Sequence, residues 1–277
     1  MTFDFGSLHR EGHTEPTTDV IADDHRLAEY LATETGRHLI ALRTQLEARD
    51  VDPWDVKDAG DAVAHRFLID SLRRWRPHDA VLSEEGADDP VRLTAQRVWI
   101  IDPLDGTTEF SEPGRSDWAV HVALWTRDAE SRGELTAGAV ALPAMATTYC
   151  THPAPATPPA PSRTPIMVVS RTRTPAVTAS VARELGFDGA RLGSAGAKTM
   201  AVVSGVADVY LHDGGQHQWD SAAPVAVARA AGLHTSRIDG SPLIYNERDT
   251  WLPDLLVCRP ELAGPILAAV QNFTSLR

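Results

Sequence analysis

Apolar residues recur at helical spacing near the start of the chain. Leu27, Leu31, Leu39, Leu42 and Leu46 fall on one face of a helix predicted from about Thr17 to Ala48, with Thr17, Thr18 and Asp19 as candidate N-caps. A second helix is predicted over "DAVAHRFLIDSLRRW", Asp61 to Trp75, where Val63, Phe67 and Trp75 share one side and Leu68 and Leu72 lie beside them. Strand-like runs follow. "AVLSEE" (80–85) ends on Glu84 and Glu85, and "RVWIID" ends on Asp102. "WAVHVALW" (118–125) and "GELTAGAVAL" (133–142) read as antiparallel neighbours, and "ATTYCTH" continues the pattern.

The rhythm breaks at "THPAPATPPAPSRTP". Six prolines in fifteen residues exclude a helix or a central strand, so 151–165 reads as a semi-rigid linker. Beyond it strands and helices alternate: "PIMVVS", a helix ending at Gly186, "AGAKTMAVVSG" ending at Gly205, "ADVYLH", a helix from Asp220 to Gly232 with Pro224 in its first turn, "HTSRID", "DLLVCRP" and a final helix. The fold class is α/β, with an α+β half over 17–150 and an α/β half over 166–277. Residues 1–16 read as a flexible extension.

Composition narrows the partners. The 277 residues are 43% hydrophobic and 23% charged, with a formal net charge of −12. That charge argues against a nucleic-acid polymer or an acidic membrane surface as partner. It leaves room for an anionic small molecule if a cation mediates. Cys150 and Cys258 sit in apolar contexts without metal-site spacing and read as buried thiols. With no membrane-length apolar run and no signal-like start, the expected location is cytoplasmic. A homodimer is compatible with this composition.

Five acidic residues stand at ends of elements: Asp61, Glu84, Asp102, Asp105 and Asp220. Singly, each fits a helix cap or a turn. Together they supply the hard oxygen donors that Mg²⁺ requires. In Asp102-Pro103-Leu104-Asp105 the fixed proline φ can turn both carboxylates toward one point and leave the Leu104 carbonyl as a third oxygen. Gly106, Thr107 and Thr108 would open a short helix whose N–H groups cradle a phosphate.

"WIIDPLDGTTEF", "LSEEG" and "QWDSAAPVAVARAAG" resemble the three metal motifs of the inositol monophosphatase superfamily, over roughly residues 20 to 260. The resemblance implies a layered αβαβα sugar-phosphatase fold and a Mg²⁺-dependent, Li⁺-sensitive phosphomonoesterase with two to three ions per site. It implies that Glu84, Asp102, the Leu104 carbonyl, Asp105 and Asp220 hold the metal. It places Asp61 with Thr107 and Glu84 as the catalytic group, with Asp61 and Thr107 orienting the attacking water.

Substrate choice is less constrained. Thr108 resembles the inositol phosphatases, whereas Glu109-Phe110 resembles the bisphosphate nucleotidases. "MVVSRTRTP" and "GSAGAK" resemble the CysQ-type 3′(2′),5′-bisphosphate nucleotidases of actinobacteria. By that resemblance Ser170, Arg171 and Arg173 meet a second phosphate, Lys198 binds the ribose-phosphate side, and His212 stands where some relatives carry an arginine. Gly106, Thr107, Thr108, Ser194 and Asp220 complete the expected substrate contacts. Trp219 is read as packing behind Asp220. The implied reaction is hydrolysis of the 3′-phosphate of 3′-phosphoadenosine 5′-phosphate and of its phosphosulfate, tied to sulfate assimilation. Inositol-1-phosphate or fructose-1,6-bisphosphate hydrolysis is the alternative, and a noncatalytic nucleotide- or metal-sensing module is the reading from another class.

Overall fold

The computed structural model describes residues 15–128, 133–172 and 174–275. The expected extension falls outside these residues except for Glu15 and Pro16, and Arg173 falls outside them too.

The first helical run is broken. α1 (Thr18–Ala22) and α2 (Asp24–Glu47) meet at Asp23, whose backbone is extended at φ −112° and ψ 122°. The Asp23 carboxylate accepts from the N–H groups of His25 (2.8 Å) and Arg26 (3.1 Å), so it caps α2. Thr17 makes no side-chain cap bond. The five leucines expected on one face are buried.

α3 (Pro53–Trp75) begins roughly two turns before its expected start. Pro53 takes the first position, where a missing N–H is harmless, and Asp52 caps it by accepting from Trp54 N at 2.9 Å. Asp61 therefore stands inside the helix and is not its cap.

The first sheet runs β1 (Ala80–Ser83), β2 (Arg97–Asp105), β3 (Ala119–Thr126), β4 (Glu134–Leu142), β5 (Thr147–Cys150) in spatial order. β1 is parallel to β2, and the remaining pairs are antiparallel. The second sheet contains β6 (Ile166–Ser170), β7 (Asp188–Leu192), β8 (Val209–His217), β9 (His234–Ser236) and β10 (Trp251–Cys258), in the order β7-β6-β8-β10-β9. β6 is parallel to both its neighbours, and β10 is antiparallel to β8 and β9.

Helices fill the spaces around the sheets. α2 and α3 cover one face of the first sheet, where Leu27, Leu68, Val120, Val122 and Leu124 pack together. α6 (Ala195–Val203) and α7 (Gln218–Ala230) lie between the sheets, against Ala119, Ala123 and Trp125 on one side and Tyr210 and Leu255 on the other. α5 (Ala176–Leu185) and α8 (Pro260–Ser275) cover the outer face of the second sheet through Val177, Val181, Ile266 and Val270. The result is the αβαβα layering expected from the sequence. Strand β3 serves two layers because alternate side chains leave opposite faces.

α7 also departs from expectation. It begins at Gln218, two residues ahead of Asp220, so Pro224 lies in the second turn and not the first. Its missing N–H leaves the Asp220 carbonyl without the usual partner four residues on.

The proline-rich stretch is pinned to the surface. Thr157 Oγ1 donates to the Ala231 carbonyl (2.7 Å), Pro158 is buried, and Arg163 pairs with Asp208 (2.5 Å). Asp208 is fully buried, also accepts from Ile166 N at 2.8 Å, and has Arg259 4.0 Å away. Cys150 and Cys258 are buried free thiols. Among the described residues no helix is long and apolar enough to cross a membrane.

Asp208 thus ties the stretch before β6 to the strand after α6. Breaking a buried charged cluster from one side leaves its partners uncompensated, so Asp208→Ala should destabilise the protein by about 3 kcal/mol. A fall in the urea midpoint at unchanged Mg²⁺-dependent turnover per folded molecule is the expected result. An unchanged midpoint would show that the cluster does not hold these segments.

Candidate active site

Residues 102 and 105 are separated by an odd number and would leave opposite faces of a regular strand. The register of β2 against β3 slips between them, a bulge that re-aims the second carboxylate. Both now reach the same buried imidazole: His121 Nε2 lies 3.2 Å from Asp105 Oδ2, and His121 Nδ1 lies 3.8 Å from Asp102 Oδ2. Gly106 ends the strand in the left-handed region at φ 88°. A side chain there would also meet Ser194 at 3.1 Å and Trp118 at 3.3 Å, so glycine is required twice over. α4 (Thr107–Ser111) starts directly after it. Arg43 donates to the carbonyls of Arg115 and Glu112 and sits beside the Phe110 and Trp118 rings, which fixes the far end of this short helix.

Each carboxylate has its own anchor. Asp102 is buried; its Oδ1 accepts from Leu104 N at 3.1 Å, and its Oδ2 has no hydrogen-bond partner. Asp105 Oδ2 accepts from Gly196 N at 2.7 Å and from the Ser194 hydroxyl, at the first turn of α6. Asp220 Oδ2 accepts from His217 N at 2.6 Å. Glu84 follows β1, held by its N–H to the Ile101 carbonyl (3.4 Å), and its carboxyl is within hydrogen-bonding reach of Asp102. Asp61 reaches Thr107 from α3. The Leu104 carbonyl already accepts from Thr107 Oγ1 at 3.2 Å.

Electrostatics bind these groups into one system. Burial pushes Glu84 up to about 7, and Asp220, Asp105 and Glu85 add to it by repulsion, against a hydrogen bond to Asp102. Burial raises Asp102 well above the usual range, reinforced by Glu84, Asp105 and Asp220. Asp220 rises to about 6 through burial and then the Asp105 charge. Asp61 rises to about 7, first through burial and then through Glu85 and Asp58, with Thr107 and Lys57 opposing. Asp105 alone moves the other way, to about 2. Burial raises it, but His121, Lys198 and Ser194 together outweigh burial.

Four raised carboxyls and one orphaned oxygen mark a site short of positive charge. The donors are all oxygen, the preference of Mg²⁺. Glu84, Asp102, Asp105 and Asp220 fit that ion, and Asp102 Oδ2 is the atom most in need of it. Among the described residues no three acidic, histidine or cysteine side chains are yet drawn together into a closed metal-binding cluster, so an ion would have to pull them in.

Residues 24–274 match the model of the inositol monophosphatase family. The chain belongs to that family. Family members generally depend on Mg²⁺. A 3'-phosphoadenosine 5'-phosphate phosphatase of Mycobacterium bovis is 50% identical over 245 residues, covering 86% of this chain and 90% of that protein. The 3'(2'),5'-bisphosphate nucleotidase CysQ of Escherichia coli is 33% identical over 207 residues, covering 70% of this chain and 81% of its own length. Among solved structures, CysQ from Bacteroides thetaiotaomicron superposes with a TM-score of 0.67 at 26% identity, covering 84% of this chain and 96% of that one. SuhB of Mycobacterium tuberculosis gives a TM-score of 0.68 at 25% identity, covering 91% and 97%.

Within this inositol monophosphatase-family site, the residues expected on the substrate side have varied surroundings. Ser170, Arg171 and Ser194 lie at or just beyond the carboxyl ends of the parallel strands β6 and β7, and His212 lies within β8. Arg171 is spoken for: it pairs with Glu109 (3.0 Å) and with both oxygens of Glu112 (2.8 and 2.9 Å). Lys198 is buried, donates to the carbonyls of Gly193 and Ser194 (2.8 Å to the latter), and sits over the Tyr210 ring. Ser194 caps α6, accepting from Ala197 N at 2.9 Å. His212 Nε2 is 3.0 Å from the Gly215 carbonyl. Ser170 Oγ is 3.4 Å from Thr172 Oγ1, and Thr108 Oγ1 accepts from Lys57 at 3.2 Å. Trp219 packs against the central core and stacks on His217 with ring centroids 4.5 Å apart.

Sequence reasoning missed Lys57, Asp117, His121 and Gly196. Asp117 accepts from Gly193 N at 2.6 Å and positions the loop ahead of α6. The available signal was the lone histidine in the otherwise apolar "WAVHVALW".

The raised carboxyls have a consequence for metal-free protein. Glu84 and Asp61 (about 7) and Asp220 (about 6) lie above their unfolded values of 4.5, 3.8 and 3.8. The folded state therefore binds protons more tightly, and stability present near pH 4 is lost as pH rises through 6 to 7. Asp105, held low, acts with the opposite sign only below about pH 4. Without divalent cation the melting temperature should fall between pH 5 and 8, and saturating Mg²⁺ should raise it more at pH 8 than at pH 5.5. Scanning fluorimetry reads both. An Mg²⁺ effect independent of pH would sink this account.

Proposed function

We propose that this protein hydrolyses the 3′-phosphate of 3′-phosphoadenosine 5′-phosphate, releasing AMP and phosphate, with the corresponding phosphosulfate as a second substrate. The observation that carries the reading is the 50% identity, over 86% of the chain, to a protein of that named activity. A sensing module would have no need of a water-activating pair such as Asp61 and Thr107.

The chain's own residues divide the work. Glu84, Asp102, the Leu104 carbonyl, Asp105 and Asp220 would hold Mg²⁺, two to three ions in all. When bound, the metal supplies Lewis-acid charge and lowers the pKa of water. The first-turn N–H groups of α4 have no carbonyl partner inside the helix and point at the position of the phosphate. Lys57, beside Thr108, adds a cation to that cradle. Asp61 lies within reach of Thr107, and the pair orients the attacking water. Asp61, raised to about 7, is matched to accepting a proton near neutral pH. Ser170, Arg171, Ser194, Lys198 and His212 would form the nucleoside side, with Arg171 exchanging an ion pair for the second phosphate.

General-base loss costs about 10²- to 10⁴-fold, so Asp61→Asn should cut kcat by that order with little change in KM. Phosphate release from 3′-phosphoadenosine 5′-phosphate, inositol-1-phosphate and fructose-1,6-bisphosphate, compared side by side, decides the substrate. The nucleotide should give the highest kcat/KM. A preference for inositol-1-phosphate would overturn the nucleotide reading while leaving the phosphatase chemistry intact.

A further inference from the structure

His121 is the only polar residue on the face of β3 that carries Ala119, Ala123 and Trp125 into the central layer. Its ring is fully buried. Burying an imidazole among alanines is costly unless its nitrogens find partners. One nitrogen, Nδ1, lies 3.2 Å from the Trp219 carbonyl, the residue immediately before Asp220. The other, Nε2, lies 3.2 Å from Asp105 Oδ2, off the line of a straight hydrogen bond. α6 closes over the ring at Gly196, where a Cβ would stand 2.1 Å from Nε2. A single side chain from the first sheet therefore touches the carboxylate of β2 and the first turn of α7.

We propose that His121 is a positioning residue that sets the relation between Asp105 and Asp220, and thereby the affinity of the site for divalent cation. The inference rests on the metal-binding reading of these carboxylates. Asp105 Oδ2 is committed to Ser194, Gly196 and His121, so Oδ1 is the oxygen presented to an ion. Asp220 reaches the same place only if the start of α7 keeps its distance from β2. The contact from His121 to the Trp219 carbonyl fixes that distance across the layer boundary. Partners behind metal-ligating side chains typically affect metal affinity by about 10- to 100-fold.

The test is calorimetric titration of Mg²⁺ into metal-free wild type, His121→Leu, His121→Gln and Val122→Ala. Leucine keeps approximate volume and removes both ring nitrogens. Glutamine keeps a donor at similar reach. Val122 is buried on the opposite face of the same strand and reports plain loss of packing. The expected result is about 10- to 100-fold weaker Mg²⁺ binding in His121→Leu, a smaller loss in His121→Gln, and wild-type affinity in Val122→Ala despite its lower melting temperature. In turnover, kcat of His121→Leu should recover at saturating Mg²⁺ while the Mg²⁺ concentration for half-maximal rate rises in parallel with the calorimetric Kd. Affinity within twofold of wild type in folded His121→Leu would overturn the proposal, as would an equal loss in Val122→Ala. Should His121→Leu not fold, His121→Gln decides, since unchanged affinity and loss equal to that of Val122→Ala both count against it. Absence of Mg²⁺ binding in wild type is a distinct result: it removes the metal reading itself, before any variant is compared.

Discussion

Four carboxylates that raise one another's proton affinity have to be held in one neighbourhood, and the rest of this fold answers that requirement. Burial alone raises each of them, and their mutual charge raises three further. A flexible surface loop could let them drift apart into water. Here they start from β1, β2 and α7, elements locked by two packed cores, so the repulsion is sustained. Asp105 is the exception that makes the cluster tolerable: the N-terminus of α6, His121 and Lys198 keep it ionised without a metal. The site is thus built as one settled anion with three carboxyls waiting for positive charge.

The central helical layer does most of the organising. α6 supplies the N–H and hydroxyl that fix Asp105, and α7 supplies Asp220. Both helices pack against the two sheets at once, so donors from separate parts of the sequence share one rigid support. The bulge in β2 and the left-handed Gly106 then perform the local work, turning Asp105 inward and starting α4 where a phosphate would lie.

Much of this was legible in the sequence for definite reasons. Gly106 marks the turn out of β2 by its own chemistry, although the strand runs on through a bulge to Asp105 where the sequence suggested an end at Asp102, and the leucines of α2 carry their face in their spacing. The start of α3 was misplaced because Asp61 looks like a cap, whereas the actual cap, Asp52, precedes a proline outside the apolar pattern. The break at Asp23 was missed because the apolar stripe begins only at Leu27, so nothing in it marks where the residues before Asp23 part from α2. Lys198 and Arg171 were found as charges, but a sequence does not reveal that carbonyls of the α6 turn hold one and Glu109 and Glu112 hold the other. His121 stood out as a lone polar residue in an apolar strand, but its partners Asp105 and Trp219 are brought beside it only by folding.

The commitment of Asp105 Oδ2 to α6 reaches further than the geometry of one residue. A carboxylate with one oxygen taken cannot wrap an ion, and a site made of such donors offers an unfinished coordination shell. The missing positions suit water and substrate oxygen. Cation and phosphate ester would then complete each other's environment, and by reciprocity each would tighten the hold on the other by the same factor. Loss of product would weaken the grip on the ion as surely as loss of the ion would weaken the grip on product. Occupancy of the site would then follow the supply of both ligands jointly.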